Sequence, residues 1–323
     1  MDANTKKLVD LCFCYNRKRS NLLGVNNRQL AHYTTADTAL KILKGRSMWL
    51  RNAGVMNDFS EIEHGKAAIE PVIKGPLGVR LINLLDSIEP GLSRKTMDLH
   101  VQHRQHAREA IFMLSLSEHN PNDTLGRLSM WRAYGGPVAG VALLFKRGVV
   151  DVEADADLEL AAMPVLYGGP DEFHVEFEEM LGCLEAEIDF LKYQGGDIIS
   201  LITATFLQFA MMTVKHPGFS EEQEWRIIHR PYEFPSAYIA PTTLTIAGIP
   251  QAIYEIPFYD EALGGFHTVP ELKLNDILDG IIIGPCFYPE TLFRAFKDQM
   301  EAAGIEDAKD KIFVSNIPLR QQF

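Results

Sequence analysis

The chain has 323 residues, of which 46% are hydrophobic and 10% aromatic, enough for one large domain or two ordinary ones without disulfide or metal staples. Its net charge of −12, with no long run of either sign, argues against a broad phosphate-binding surface and leaves room only for a small basic pocket. Four cysteines, Cys12, Cys14, Cys183 and Cys286, include no CxxC pair, which disfavours a disulfide framework and suits a reducing, cytoplasmic setting.

The N-terminal stretch MDANTKKLVDLCFCYNRKRS has a short apolar run broken by Asp10 and followed by Arg17, Lys18 and Arg19, so it does not read as a signal peptide. Residues 30–33 read as a strand. Thr35 is placed to cap a helix that carries Ala39, Ile42 and Leu43 on one face, with Gly45 to end it. Residues 47–51 read as a second strand. In the following Asn57-Asp58-Phe59-Ser60, Ser60 and Glu63 fit a capping box for another helix. That helix start also accounts for Asp58, Glu61, Glu63 and His64, which do not assemble into a metal-hydrolase set.

Residues 66–110 read as mostly helical and amphipathic. Within them His100, His103 and His106 recur at spacings of three, which a solvated helix face explains better than a metal site. Strands are expected at 111–117, 139–145 and 163–167, the first two joined by a turn-rich loop and the segment LSMWRAYGG. Ser117-Glu118-His119 has no GxSxG around it and reads as a strand end and turn. A long helical region runs from about residue 171 to 215 and stops at His216-Pro217-Gly218. Its stretch 198–214 carries no charge. Ser200, Thr203, Thr205, Gln208 and Thr213 interrupt it and no aromatic belt flanks it, so it reads as a buried core helix rather than a membrane span.

Strands return at 224–229, 252–257, 280–285 and 311–317, and Pro289 opens a helix that ends near Ala303, with Gly304 just after it. No repeat appears and no GxGxxG follows a strand. The expectation is a single α+β domain over residues 1–323, with helical insertions at about 66–110 and 171–217.

Taken singly, the candidate residues are modest. Trp49, Trp131 and Trp225 serve as core anchors, or stand near polar strand ends where sites are built. His32, inside an apolar strand, reads alone as a core histidine. Glu224 reads alone as a surface acid paired with Arg226.

The ordered set says more. HYT, helix, Gly and strand, then NDF, SLSE, MWRAYGG, EEQEWRII and IIIGP resembles a widespread bacterial family of unknown function over roughly residues 30–290. Phe59 stands where that family usually has proline, and Leu116 where it often has phenylalanine. The HYT–helix–Gly–strand opening is in turn similar to that of ADP-ribosyltransferases, notably DNA-targeting bacterial toxins and tRNA phosphotransferase relatives. That resemblance implies a split mixed sheet and NAD as substrate. It implies that His32 holds the NAD ribose, that Tyr134 or secondarily Trp131 stacks on nicotinamide, and that Glu224 bonds the nicotinamide ribose. Tyr33, Thr34, Arg51 and Asn57 would line the cofactor site. Glu222-Gln223-Glu224 forms an E-x-E pattern, but that pattern usually accompanies a first-strand Arg rather than a His. The acceptor of ADP-ribose is left open among protein, nucleic acid and small molecule, with the acidic charge weighing against duplex DNA. The competing expectation is a non-catalytic ligand-sensing or partner-binding module on the same fold.

Overall fold

The computed structural model of the chain describes residues 2–55, 59–150, 158–246, 248–259 and 270–318. In chain order the elements begin with α1 (Ala3–Cys12), α2 (Cys14–Val25), β1 (Gln29–Thr35), α3 (Ala36–Gly45), β2 (Ser47–Asn52), α4 (Phe59–Lys74), α5 (Pro76–Ile88) and α6 (Leu92–Ala110). The middle of the chain holds β3 (Phe112–His119), α7 (Leu128–Tyr134), β4 (Gly140–Phe145), β5 (Leu160–Pro164), β6 (Leu166–Tyr167), α8 (Pro170–Ala186), α9 (Ile188–Lys192) and α10 (Gly196–Thr213). The last third holds β7 (Val214–Lys215), β8 (Glu224–His229), β9 (Ala240–Ile246), β10 (Ile249–Pro257), α11 (Leu274–Ile277), β11 (Leu278–Ile283), α12 (Pro289–Ala302) and β12 (Ile312–Val314). The fold is α+β with a mixed sheet.

Two compact units emerge, each from three stretches of chain. One comprises residues 1–22, 52–111 and 163–220 and is helical; the other comprises 23–51, 112–162 and 221–323 and is organised by the sheet.

The helical unit is built round α10. From Ile198 onward it carries no charge, which lets that stretch be buried on nearly every side, and its hydroxyls and amide are buried with it. Such groups need partners inside. Thr96 of α6 donates its hydroxyl to Ser200 at 3.2 Å, and Thr213 donates to the Phe209 carbonyl at 2.8 Å. Although α10 is long and apolar enough to cross a membrane, 72% of it is buried within the protein. Phe206 of α10 stacks with Phe173 and Phe177 of α8. A buried ion pair, Lys215 with Glu61 at 2.5 Å, joins β7 to α4. His100 and His103, expected on a solvated face, are 5% and 8% exposed, because α6 turns that side into the unit's interior. The side chain of His106 lies outside the described residues.

In the sheet unit ten of the described strands make one sheet, ordered β12-β11-β4-β1-β3-β2-β10-β9, with β8 paired to β3 and β5 to β8. β11 and β12 run parallel, whereas β1 runs antiparallel to both β3 and β4. Ser117 of β3 faces Ala31 of β1 on one edge and Glu224 of β8 on the other. Since β8 lines residues 112–117 along its edge, β2, the third neighbour of β3, must share the edge with β1. The ladder between β1 and β3 stops at Ala31, so β1 and β2 fork at His32.

Period-two alternation sorts the side chains to two faces. Leu30, Leu143, Phe145, Ile281, Leu116 and Trp225 belong to the larger core, which α3 closes with Ala39, Ile42 and Leu43 and α12 with Phe296 and Met300. The reverse face carries Ala31, Tyr33, Ala142, Leu144 and Ile282 against Trp131 of α7.

Thr35 caps α3 by accepting the Thr38 N–H at 3.2 Å, but Gly45 is the last helical residue and Arg46, not glycine, takes the left-handed position at φ 50°. The chain must turn at once into β2, and that falls one residue later than the glycine. Ser60 lies inside the first turn of α4 rather than at its cap, because the helix already begins at Phe59. The strand expected at 163–167 is two short strands, and the helix expected to Lys215 gives way to β7 after Thr213.

Candidate functional site

β8 is buried at all six positions although it begins with a carboxylate and carries a guanidinium two residues on. Residues two apart share a face of a strand, so Glu224 and Arg226 lie side by side. Arg226 donates from Nε to Glu224 Oε1 at 2.9 Å and from Nη2 to Oε2 at 3.0 Å. The two residues are only 6% and 5% exposed, and pairing of this kind is what lets charges stay buried. Glu224 is thus Arg226-paired, as its sequence neighbours imply, but interior rather than on the surface.

Across the ladder Arg226 faces Ser115, whose hydroxyl donates to Glu224 Oε1 at 2.6 Å. The carbonyl oxygen of the same Ser115 lies 3.1 Å from Nδ1 of His32. A carbonyl only accepts, so Nδ1 must carry the proton, and Nε2 carries the lone pair of the neutral ring. Burial pushes the His32 imidazole below its ordinary pKa, opposed in part by that carbonyl bond.

His32 and Glu224 therefore meet at one residue. They approach it differently. Register places His32 opposite Leu143, on the face of the larger core, and Glu224 opposite Ser117, on the reverse face. The fork after Ala31 is what allows the imidazole to reach the backbone of β3.

Tyr134, at the end of α7, is half-buried against the smaller core and donates its hydroxyl to Glu222 Oε1 at 3.3 Å. It stands beside the residues that lead into β8. Trp131 is placed otherwise. Its indole is 3% exposed, meets Tyr33 edge-on with centroids 4.8 Å apart, and donates Nε1–H to the Leu125 carbonyl at 3.0 Å. Gly126, Gly140 and Gly284 surround the ring so closely that a Cβ on them would lie 2.6, 3.2 and 2.8 Å from it. Trp131 is a core plug, and the glycine of IIIGP, with Gly126 and Gly140, leaves the space its ring needs.

Tyr33 is buried and its hydroxyl accepts the Arg127 N–H at 3.1 Å; Thr34 lies opposite Val141 on β1. Arg51, on β2 opposite Ile253, donates Nε–H to Gln251 Oε1 at 3.0 Å. Asn57 lies outside the described residues. Among the described residues, no three of His, Cys, Asp and Glu come together as metal donors.

Two residues that sequence reasoning passed over shape this region. Ser115 is the junction just described. Arg127 donates to Ser117 Oγ at 2.7 Å, to the Glu221 and Glu222 carbonyls at 2.9 Å each and to Gln223 Oε1 at 2.7 Å, and also bonds the Glu118 carbonyl. It pins the approach to Glu224, where Gln223 takes a left-handed φ of 45°. Neither carries a sequence signal: Ser115 is one of two serines in a strand, and Arg127 reads as an ordinary loop arginine.

No curated protein and no solved structure matches the chain. A family described as "Protein of unknown function (DUF2971)" matches residues 130–227, from α7 through most of β8. The match contains Trp131, Tyr134, Glu224 and Arg226 and leaves His32 and Ser115 outside it. Residues 130–227, less than half of the chain, thus carry a DUF2971 domain, a family whose description names no activity.

Proposed function

We propose that the protein is a cytoplasmic, NAD-binding enzyme of the ADP-ribosyltransferase type, which transfers ADP-ribose to an acceptor or hydrolyses NAD. The observation that carries this reading is the junction at Ser115, whose carbonyl engages His32 and whose hydroxyl engages Glu224 at the fork of the sheet. A neutral imidazole there offers Nε2 to a ribose hydroxyl. Breaking the nicotinamide–ribose bond builds positive charge on the sugar, which a fixed carboxylate stabilises. Arg226 and Ser115 hold Glu224 in place for that role. Tyr134 offers an aromatic face for nicotinamide. The acceptor is a protein, a nucleic acid or a small molecule, with duplex DNA disfavoured by the charge of −12.

A second reading has its own observation. Glu224 is 6% exposed, both its oxygens are engaged by Arg226 and register sets it on the face opposite His32, as expected if the carboxylate is structural and the protein is a non-catalytic sensing or partner-binding module.

The test is NAD turnover by the purified protein beside Glu224→Gln and Glu224→Ala, with circular dichroism to confirm that each variant is folded. Nicotinamide release by the wild type that disappears in a folded variant supports the enzyme. Absence of release, together with no NAD binding by calorimetry, overturns it and favours the module.

A further inference from the structure

Three of the four cysteines gather in the helical unit. Cys14 opens α2 and is 2% exposed; its Sγ lies 3.0 Å from Sγ of Cys183 on α8 and 3.1 Å from the Leu11 carbonyl oxygen. Cys183 is only half-buried. Cys12 is fully buried and its thiol engages Thr203 instead. Cys286 belongs to the sheet unit. The fold therefore brings together two thiols separated by 169 positions in sequence, and their sulfurs stand about 1 Å outside the bonding distance of roughly 2.05 Å. The Cys14–Cys183 contact ties α2 to α8, as the Lys18–Glu179 ion pair also does, and neither thiol has a part in the site at the sheet fork.

The geometry points to Cys14 and Cys183 as a reversible dithiol–disulfide couple, a modification site whose oxidant is a low-molecular-weight disulfide. Cys183, the accessible partner, attacks first. Its thiolate bonds to one sulfur of RSSR, the S–S bond breaks, and RS⁻ leaves and takes up the proton that Cys183 gave up. Cys14 then releases its proton to solvent and its sulfur attacks Sγ of Cys183, expelling the second thiolate. In balance, two protein thiols lose two hydrogens and two electrons, and RSSR becomes two RSH. Burial pushes the Cys14 thiol up to about 12, so the second step is the slow one and the mixed disulfide on Cys183 precedes the closed bridge.

The experiment equilibrates the full-length wild-type protein in glutathione buffers of graded oxidised-to-reduced ratio, quenches with acid, alkylates the remaining thiols and weighs the products. Expected is a species two hydrogens lighter with two fewer alkylated thiols, which yields a proteolytic peptide joining Cys14 to Cys183 and reverts on reduction. Cys14→Ser stops at the glutathione adduct of Cys183, Cys183→Ser forms neither product, and Cys286→Ser behaves as wild type. Four free thiols across all buffers, adducts that never close, or a bridge linking Cys12 or Cys286 overturns the proposal. Because the decisive reading is made on the wild type, misfolding of a variant does not cloud it.

Discussion

Ser115 donates its hydroxyl to Glu224 Oε1 at 2.6 Å while its own carbonyl lies 3.1 Å from Nδ1 of His32. One strand residue thereby supports a carboxylate and an imidazole that local sequence would never connect. The Glu224 carboxylate leans on Arg226 as well, and this pair sets the first expectation. Arg226→Met strands a buried carboxylate and is expected to cost about 3–5 kcal/mol in urea denaturation. The double variant Glu224→Gln with Arg226→Met removes both charges and should lose clearly less than Arg226→Met alone. A double variant as unstable as the single one would show that packing, not charge, sets the cost.

Arg127 should matter more than its half-exposed position implies. Arg127→Lys keeps the charge but cannot span Ser117, Gln223 and the carbonyls of residues 221 and 222 at once. A loss of about 2 kcal/mol is expected, together with faster hydrogen exchange at the Glu118 amide, which donates to the Gln223 carbonyl at 2.9 Å. Unchanged exchange at that amide would mean that the loop is held by its own turn.

The glycines round Trp131 give a third expectation. In Gly284→Ala the added carbon falls 2.8 Å from the indole and 3.1 Å from the Gly140 carbonyl oxygen, an overpacking expected to cost about 1–3 kcal/mol. Trp131→Leu empties space beside it, so the two substitutions should couple favourably by about 1 kcal/mol in a double-mutant cycle. Strict additivity would place the strain elsewhere.

Acid should loosen the helical unit. Burial first, then the positive charges of Arg104 and His103, push the His100 imidazole down to about 4 from 6.5. A histidine whose folded pKa is depressed is neutral in the fold and protonated more readily when unfolded. Its contribution is therefore complete above about pH 6.5 and is lost as pH falls toward 4, on the order of 3 kcal/mol in total. His119 and His229, in the sheet unit, are lowered in the same direction, also chiefly by burial, so acid weighs on that unit too. His100→Gln should flatten the fall of stability between those pH values, and an unaltered slope would assign it to the other groups.

Much of the fold was legible where one rule acted alone. Strand-type runs marked β8 and β3, Thr35 marked the start of α3, and the uncharged stretch in α10 marked a buried helix. Legibility failed where packing overrode local preference. Arg46 takes the left-handed turn that Gly45 seemed placed for, since the register of β2 dictates where the chain reverses. His100 and His103 look solvated by spacing, yet α6 buries them. The polar α1 and α2 carry little apolar periodicity and went unanticipated. For the candidate site, the sequence pointed to His32, Tyr134 and Glu224, but Ser115 and Arg127 act through hydrogen bonds to residues far along the chain. Such partners have no signature until strands are in register.

All three tryptophans, Trp49, Trp131 and Trp225, fall in the sheet unit, whereas most of the long helices, α4, α5, α6, α8 and α10 but not α12, fall in the other. Indole emission consequently watches the sheet unit, and far-ultraviolet ellipticity chiefly the helical one. A thermal melt recorded both ways separates the behaviour of each half without any label: superimposed curves describe one cooperative transition, and displaced curves describe two, with the order of the midpoints naming the half that yields first.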